Sequence, residues 1–313
     1  MSTLLTWVVF NAFVLALLAL DLGVFNRRPH VVGTREAAAW SVFWIVLSLA
    51  FNVGVYFQRG PDDAVDFFTC YLLEKSLSAD NLFLFAVIFG TMGVLAEYQH
   101  RVLFWGVLGA IVLRGTFIIA GVQLVQHFHW VLYVFAGFLL FTGVRLLFGE
   151  ERKYDPAQSA AFRLVRKYLP FSDQYAGGRM FVKSRGRILA TPLFLVLVLI
   201  ELADIAFAVD SIPAIFAVTQ DAFIVYSSNI FAILGLRSLY FLLARGIVRF
   251  RFLPKGLAII LVLVGVKMLA GHWVHVPTTL ALGAIVIVLV VTIWASLLAE
   301  RAGKNTHERP QHK

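Results

Sequence analysis

The sequence predicts an all-α, polytopic membrane protein of about nine transmembrane helices, with its N-terminus outside and its C-terminus in the cytoplasm. Three observations carry this expectation. Apolar residues are 60% of the chain and charged residues 14%, against roughly 45–50% and about 25% in soluble globular proteins. The apolar residues fall in long runs, and Lys and Arg concentrate on alternate connections between them. Spans three to five and six to eight also share motifs, as two copies of one three-helix unit would. The chain reads as a single integral membrane domain over residues 1–301, with 302–313 as a disordered cytoplasmic tail.

A bilayer core about 30 Å thick takes roughly 20 apolar residues of helix to cross. The qualifying stretches are Thr3–Phe25, Ala37–Phe57, Asp66–Phe89, Val102–Gly121, Leu124–Phe148, Pro192–Val218, Asp221–Ala244, Lys255–Trp273 and Pro277–Ala299. Without water to satisfy the backbone, each reads as a helix. The first has no basic residue before it and no small-residue cleavage signal, so it is expected to stay as a span and not be removed as a signal peptide.

Twenty-one of the 27 Lys and Arg residues lie on odd-numbered connections or the C-terminal tail, among them Arg27, Arg35, Arg101, nine between Arg152 and Arg187, and Lys255. The even-numbered connections hold Arg59 alone, beside Asp62 and Asp63. Basic loops stay in the cytoplasm, which sets the orientation and accounts for most of the +9 net charge. Nucleic-acid binding would ask for basic residues interleaved with aromatics on a soluble face, and no such face is present. A single cysteine, Cys70, excludes a disulfide scaffold or thiolate cluster. No Walker A, Rossmann, nucleophile-elbow or HExxH pattern occurs, so the expectation is a non-enzyme without a resident cofactor. Nothing in the sequence sets an oligomeric state.

The long connection 149–191 is basic and soluble. Phe162, Val165, Tyr168 and Leu169 recur at helical spacing, as in a short helix on the anionic inner leaflet. Met180–Val182 and Arg187–Leu189 flank Ser184-Arg185-Gly186 as a small hairpin would. A plain solvated tether is the alternative.

Glu74-Lys75-Ser76-Leu77-Ser78-Ala79-Asp80-Asn81 in span three resembles Asp204-Ile205-Ala206-Phe207-Ala208-Val209-Asp210-Ser211 in span six. Each holds two carboxylates six residues apart, followed by a small polar residue. Leu113-Arg114 matches Leu236-Arg237, and the string from Gly143 to Gly149 matches that from Gly265 to Gly271. A three-span unit is odd, so its second copy must enter the membrane from the opposite side. Inverted repeats of this kind serve secondary transporters, with the substrate near the midplane.

A carboxylate at the bilayer centre costs about 2.5–3.5 kcal/mol even on lenient scales. Glu74, Asp80, Glu201, Asp204 and Asp210 must therefore face a polar cavity, bind cations or share protons. Six residues along a helix turn a side chain about 120°, so neither pair chelates alone. Pairing spans three and six would bring Glu74, Asn81, Asp204 and Asp210 together, with Ser78 and Ser211 beside them. Pro213 removes a hydrogen bond to the Val209 carbonyl and is expected to break the helix beside Asp210. These hard oxygen donors suit Mn²⁺, Mg²⁺ or Ca²⁺. The competing reading is structural, with the carboxylates neutralised by Lys75, Arg114, Arg237 and Lys267. Lys75, Arg114, Glu201 and Arg237 are assigned to ion pairing or gating. His127/His129 and His272/His275 sit in outer connections beside Trp130 and Trp273, as an interfacial belt or an exit site for metal.

At these residues the chain resembles the TerC/Alx family of bacterial inner-membrane proteins, named for tellurium resistance. The strings that carry the resemblance are Asp21 to Arg27, Glu74 to Asn81, Tyr98 to Gly106, Ala190 to Phe194 and Glu201 to Ala214. It implies a multi-pass inner-membrane protein with a fold related to the LysE exporters, and a role in metal homeostasis, with manganese export among Alx-like members. Two functions follow as expectations. One is a secondary exporter of a divalent cation, Mn²⁺ foremost, in which carboxylates exchange protons for metal. The other is a non-transporting scaffold for membrane-protein assembly or insertion, the role linked to chloroplast relatives. A direct tellurite pump fits poorly, because buried carboxylates repel an oxyanion.

Overall fold

The computed structural model describes residues 3–20, 32–148, 170–172, 175–184, 187–244, 252–271, 273–274 and 276–307. In chain order its helices are α1 (Thr3–Leu20), α2 (Thr34–Arg59), α3 (Pro61–Thr91), α4 (Ala96–His127), α5 (Val131–Phe148), α6 (Pro192–Phe216), α7 (Ala222–Leu234), α8 (Leu236–Ala244), α9 (Leu253–Ala270) and α10 (Thr278–His307). A hairpin of β1 (Phe181–Ser184) and β2 (Arg187–Ala190) precedes α6. Seven elements are long and apolar enough to cross a membrane, α7 and α8 counting as one. The other two expected spans are α1, 18 apolar residues, and α3, 31 residues with the charges in its middle. Phe141, Ile287 and Trp294 are more than half exposed, as side chains solvated by lipid are.

The alternation of loops is visible in the packing. Arg59, at the α2–α3 turn, donates to both carboxylate oxygens of Asp221 at the α6–α7 turn (3.2 and 2.7 Å) and lies 2.9 Å from Asp63. Burial raises the Asp221 carboxyl, but the Arg59 bonds and the N–H groups of Ile224 and Phe223 outweigh it and hold it below the usual range. Thr219, before Asp221, and Thr278, opening α10, both lie beside Asp66 of α3. The even-numbered connections thus gather at one end, which the sequence assigns to the outside. At the other end the Tyr175 hydroxyl donates to the Met92 carbonyl at 2.7 Å, docking the basic connection on the α3–α4 turn. The expected hairpin is there, with Val182 opposite Leu189. The inner-leaflet helix expected around Phe162–Leu169, the string Asp21 to Arg27, and His272 and His275 lie outside the described residues.

Boundaries differ from expectation in places: α4 runs on to His127, so α5 begins at Val131 and not at Leu124. Helix α6 is not broken at Pro213: it runs through to Phe216, and the Pro213 carbonyl accepts from Ala217. Packing of the buried residues 211–216 holds a single lost hydrogen bond within a continuous helix. At the C-terminus, α10 continues to His307.

α5 and α9 pack with their glycines in reciprocal positions. A Cβ on Gly143 would stand 2.9 Å from the Ala258 carbonyl and 2.8 Å from the Val262 side chain. One on Gly265 would stand 3.2 Å from the Ala136 carbonyl and 3.0 Å from Leu140. Each glycine therefore faces residues seven and three before the other, as a local two-fold axis perpendicular to two antiparallel helices generates. Small residues let helix backbones approach closely where no hydrophobic effect drives association.

Gly143→Ala should force α5 from α9 and destabilise the detergent-solubilised protein by about 1–3 kcal/mol, read as a lower Tm. Gly137→Ala, with nothing within 4 Å of the added Cβ, should leave Tm unchanged or raise it.

Candidate functional site

Arg114 of α4 is fully buried, and a charge there persists only if the surrounding groups satisfy it. Its Nη1 donates to Glu74 Oε1 of α3. Its Nε and Nη2 take both oxygens of Asp204 of α6 at 3.1 and 2.7 Å. This bidentate fork is the geometry in which guanidinium and carboxylate bind best. Nη1 also reaches Asn229 Oδ1 of α7 at 3.1 Å and Ser211 Oγ at 3.5 Å. Glu74 accepts further bonds from Ser78 at 3.0 Å and from Asn229 Nδ2 at 3.4 Å. Four helices thus meet on one buried cation held by two carboxylates.

The helical register explains the membership. Glu74 and Ser78 are four apart and share a face of α3. Asp204 and Ser211 are seven apart and share a face of α6. Asp210, six from Asp204, is turned about 120° away and lies beside Thr142 of α5 instead. Of the expected ligands, then, Glu74, Ser78, Asp204 and Ser211 come together, while Asp210 does not join them. Asn81 is buried, and the Asp80 side chain lies outside the described residues. Among the described residues no three His, Cys, Asp or Glu groups converge as a ready-made metal site.

The four groups assigned to pairing or gating take distinct places. Arg114 is the hub. Lys75 donates to the Ala232 carbonyl at 3.2 Å, which the break between α7 and α8 frees from its helical partner. The break falls at Gly235, where a Cβ would stand 2.6 Å from Lys75 Nζ. Lys75 thus caps the negative end of α7. Glu201 packs on Gly109 of α4 with Oε2 buried and without a hydrogen bond, one turn along α6 from Asp204. Arg237 meets His100 at 3.3 Å and, with Asp204, lines a cavity of about 20 Å³, room for about one water. Asn229 escaped the sequence reading. Its signal was there, since Ser227-Ser228-Asn229 is a polar run inside an apolar span.

The model of the integral membrane protein TerC family matches residues 59–304. An "Uncharacterized membrane protein STKORF319" from Myxococcus xanthus is 50% identical over 295 residues, 94% of this chain and 92% of the relative. "Putative membrane-bound redox modulator Alx" from Escherichia coli (strain K12) is 46% identical over 300 residues, 93% of this chain and 94% of the relative. A membrane protein of Rickettsia bellii is 39% identical over 294 residues, 94% and 97% of the two chains. No solved structure gives a significant match.

Arg114→Leu leaves two buried carboxylates unpaired and should destabilise the protein by about 3–5 kcal/mol. Adding Glu74→Gln and Asp204→Asn to the same chain should restore most of the lost Tm. Failure of the triple variant to recover would mean that Arg114 acts through its volume, not its charge.

Proposed function

The chain belongs to the integral membrane protein TerC family, and from that premise we propose that it exports divalent metal ions, with Mn²⁺ as the cargo, through the buried cluster. The observation that carries this reading is that one internal cation, Arg114, bridges two carboxylates from α3 and α6. A carboxylate pair that needs a cation between its members when idle is a pair that a dication can occupy. With the guanidinium displaced, Glu74 and Asp204 neutralise the charge of M²⁺. Ser78, Ser211 and the Asn229 amide oxygen complete a hard-oxygen set of the kind that Mn²⁺ and Mg²⁺ take.

Displacing Arg114 demands a second partner for it. Glu201 has the position for this, one turn along α6 with a buried oxygen lacking a bond. Cargo binding and movement of Arg114 from Asp204 to Glu201 would then be one event, which gives an ion-exchange cycle its two states. Protons are the natural counter-ions for a carboxylate site. The matched motifs and the reciprocal Gly143 and Gly265 contacts support an inverted repeat, in which rocking of one half on the other exposes a midplane site alternately to each side.

In inverted membrane vesicles, Mn²⁺ uptake should depend on this protein and respond to an imposed pH gradient. Glu74→Gln and Asp204→Asn should reduce the rate at least about tenfold, the effect of losing roughly 1.4 kcal/mol of binding. Asp80→Asn and Asp210→Asn test whether the flanking carboxylates share the route. Parental rates in all four variants would remove the metal-export reading. Loss on neutralising the 149–191 basic loop, with the carboxylate variants intact, would instead favour the assembly scaffold.

A further inference from the structure

At the end assigned to the outside, a cavity of about 380 Å³ opens between α5, α6, α9 and α10, with His129, Gln220, Lys267 and Thr278 on its polar wall. Asp66 of α3 is half-buried beside Thr278 of that wall and beside Thr219. Lys267 acts electrostatically on both Asp66 and Cys70. Asp66, Cys70 and Glu74 follow one another at intervals of four, so they share a face of α3. Asp66 and Glu74 are about 12 Å apart along the axis. Cys70 meets Ser228 of α7, and the next residue, Asn229, bonds Glu74. The seam between α3 and α7 is therefore lined by small polar groups from the cavity to the cluster. It is shut here, with Cys70, Ser228 and Asn229 fully buried.

The geometry points to the outer cavity as the external mouth of the ion route, with Asp66 as a second cation station and the Cys70–Ser228 contact as the closure between the two. The inference rests on the transport reading and extends it to residues outside the central cluster. Asp66 lies in the field of Lys267 there, while at the centre Glu74 and Arg114 are in direct contact. The charge of this end favours a cation. Asp62, Asp63, Asp66 and Asp221 stand against Arg59 and Lys267, and Arg59 is engaged by Asp63 and Asp221.

Cys70, as the chain's one thiol, is a built-in reporter for this route. In whole cells, the membrane-impermeant cationic reagent MTSET, added from outside, should modify Cys70 several-fold faster when the cells are loaded with Mn²⁺. Cys70→Ala supplies the blank. MTSET should outpace the anionic MTSES by on the order of tenfold more than the two reagents differ with a free thiol. Asp66→Asn should abolish that preference and slow Mn²⁺ export, while Asp66→Glu should keep both. A Cys70 that never reacts under any loading, or a reagent preference unchanged in Asp66→Asn, would overturn the proposal. Normal export by Asp66→Asn with an unchanged preference would refute the outer station and leave the central cluster standing. Modification of Cys70 in a protein that exports no Mn²⁺ would refute the cargo and leave the route.

Discussion

The arrangement of this protein turns on one buried guanidinium. An ion at the centre of an apolar bundle loses its hydration, and attraction to its partners offsets that loss only with near-ideal geometry and every donor engaged. Arg114 meets the condition by drawing α3, α6 and α7 onto α4. Glu74, Asp204, Ser211 and Asn229 each supply an oxygen to it. Remove the cation and two carboxylates repel across the helix contact; remove the carboxylates and the cation is stranded. Helix association in lipid has little hydrophobic drive of its own, so such a cluster fixes which helices meet and in what register. Stability and the proposed function thus draw on the same groups.

Around that hub the polar groups form a file, not a patch. Toward the end that the basic loops assign to the cytoplasm lies the small cavity shared by Asp204 and Arg237, with His100 beyond. Toward the opposite end lie Ser228 and Cys70, then Asp66 and the open cavity. Lys75 stands apart from this file, spent on the Ala232 carbonyl at the helix break. The basic residues inside the bundle are therefore not interchangeable. Arg114 joins two carboxylates from different helices at the centre of the bundle, whereas Lys75 caps the end of α7 at the break before α8.

Much of the fold was legible in the sequence because lipid imposes few solutions. The apolar run Pro277–Ala299 set its span almost by length alone, whereas the run Leu124–Phe148 takes in the last residues of α4 and the turn before α5, and the basic loops set which ends lie together. The β1–β2 hairpin could be read from a turn between two apolar triplets. The site was legible in part. Intramembrane charge exposed Glu74, Asp204 and Arg114, since no apolar helix carries such residues without a reason. Their mutual geometry was not available, because helix register says which residues share a face but not which helix that face meets. Asp210 was grouped with Asp204 by motif, although the 120° between them sends it to Thr142 on α5. Pro213 was read as a break on local grounds, and tertiary packing overrode it.

The glycine contact between α5 and α9 bears on how such a cluster could open. Gly143 and Gly265 occupy equivalent places in the two matched segments, and each abuts the other helix at the equivalent residues. A contact of this form reads the same from both sides, so small rotation of one helix about the crossing point exchanges the surroundings of the two without separating them. The central ion cluster lacks that symmetry. Glu74 and Asp204 are matched carboxylates, but both bind Arg114 from the first unit, with Asn229 from the second beside it. A symmetric pivot beside an asymmetric ion lock is a combination that favours one state at rest. A ligand that replaces the lock's internal cation then supplies the differential binding energy that moves such an equilibrium.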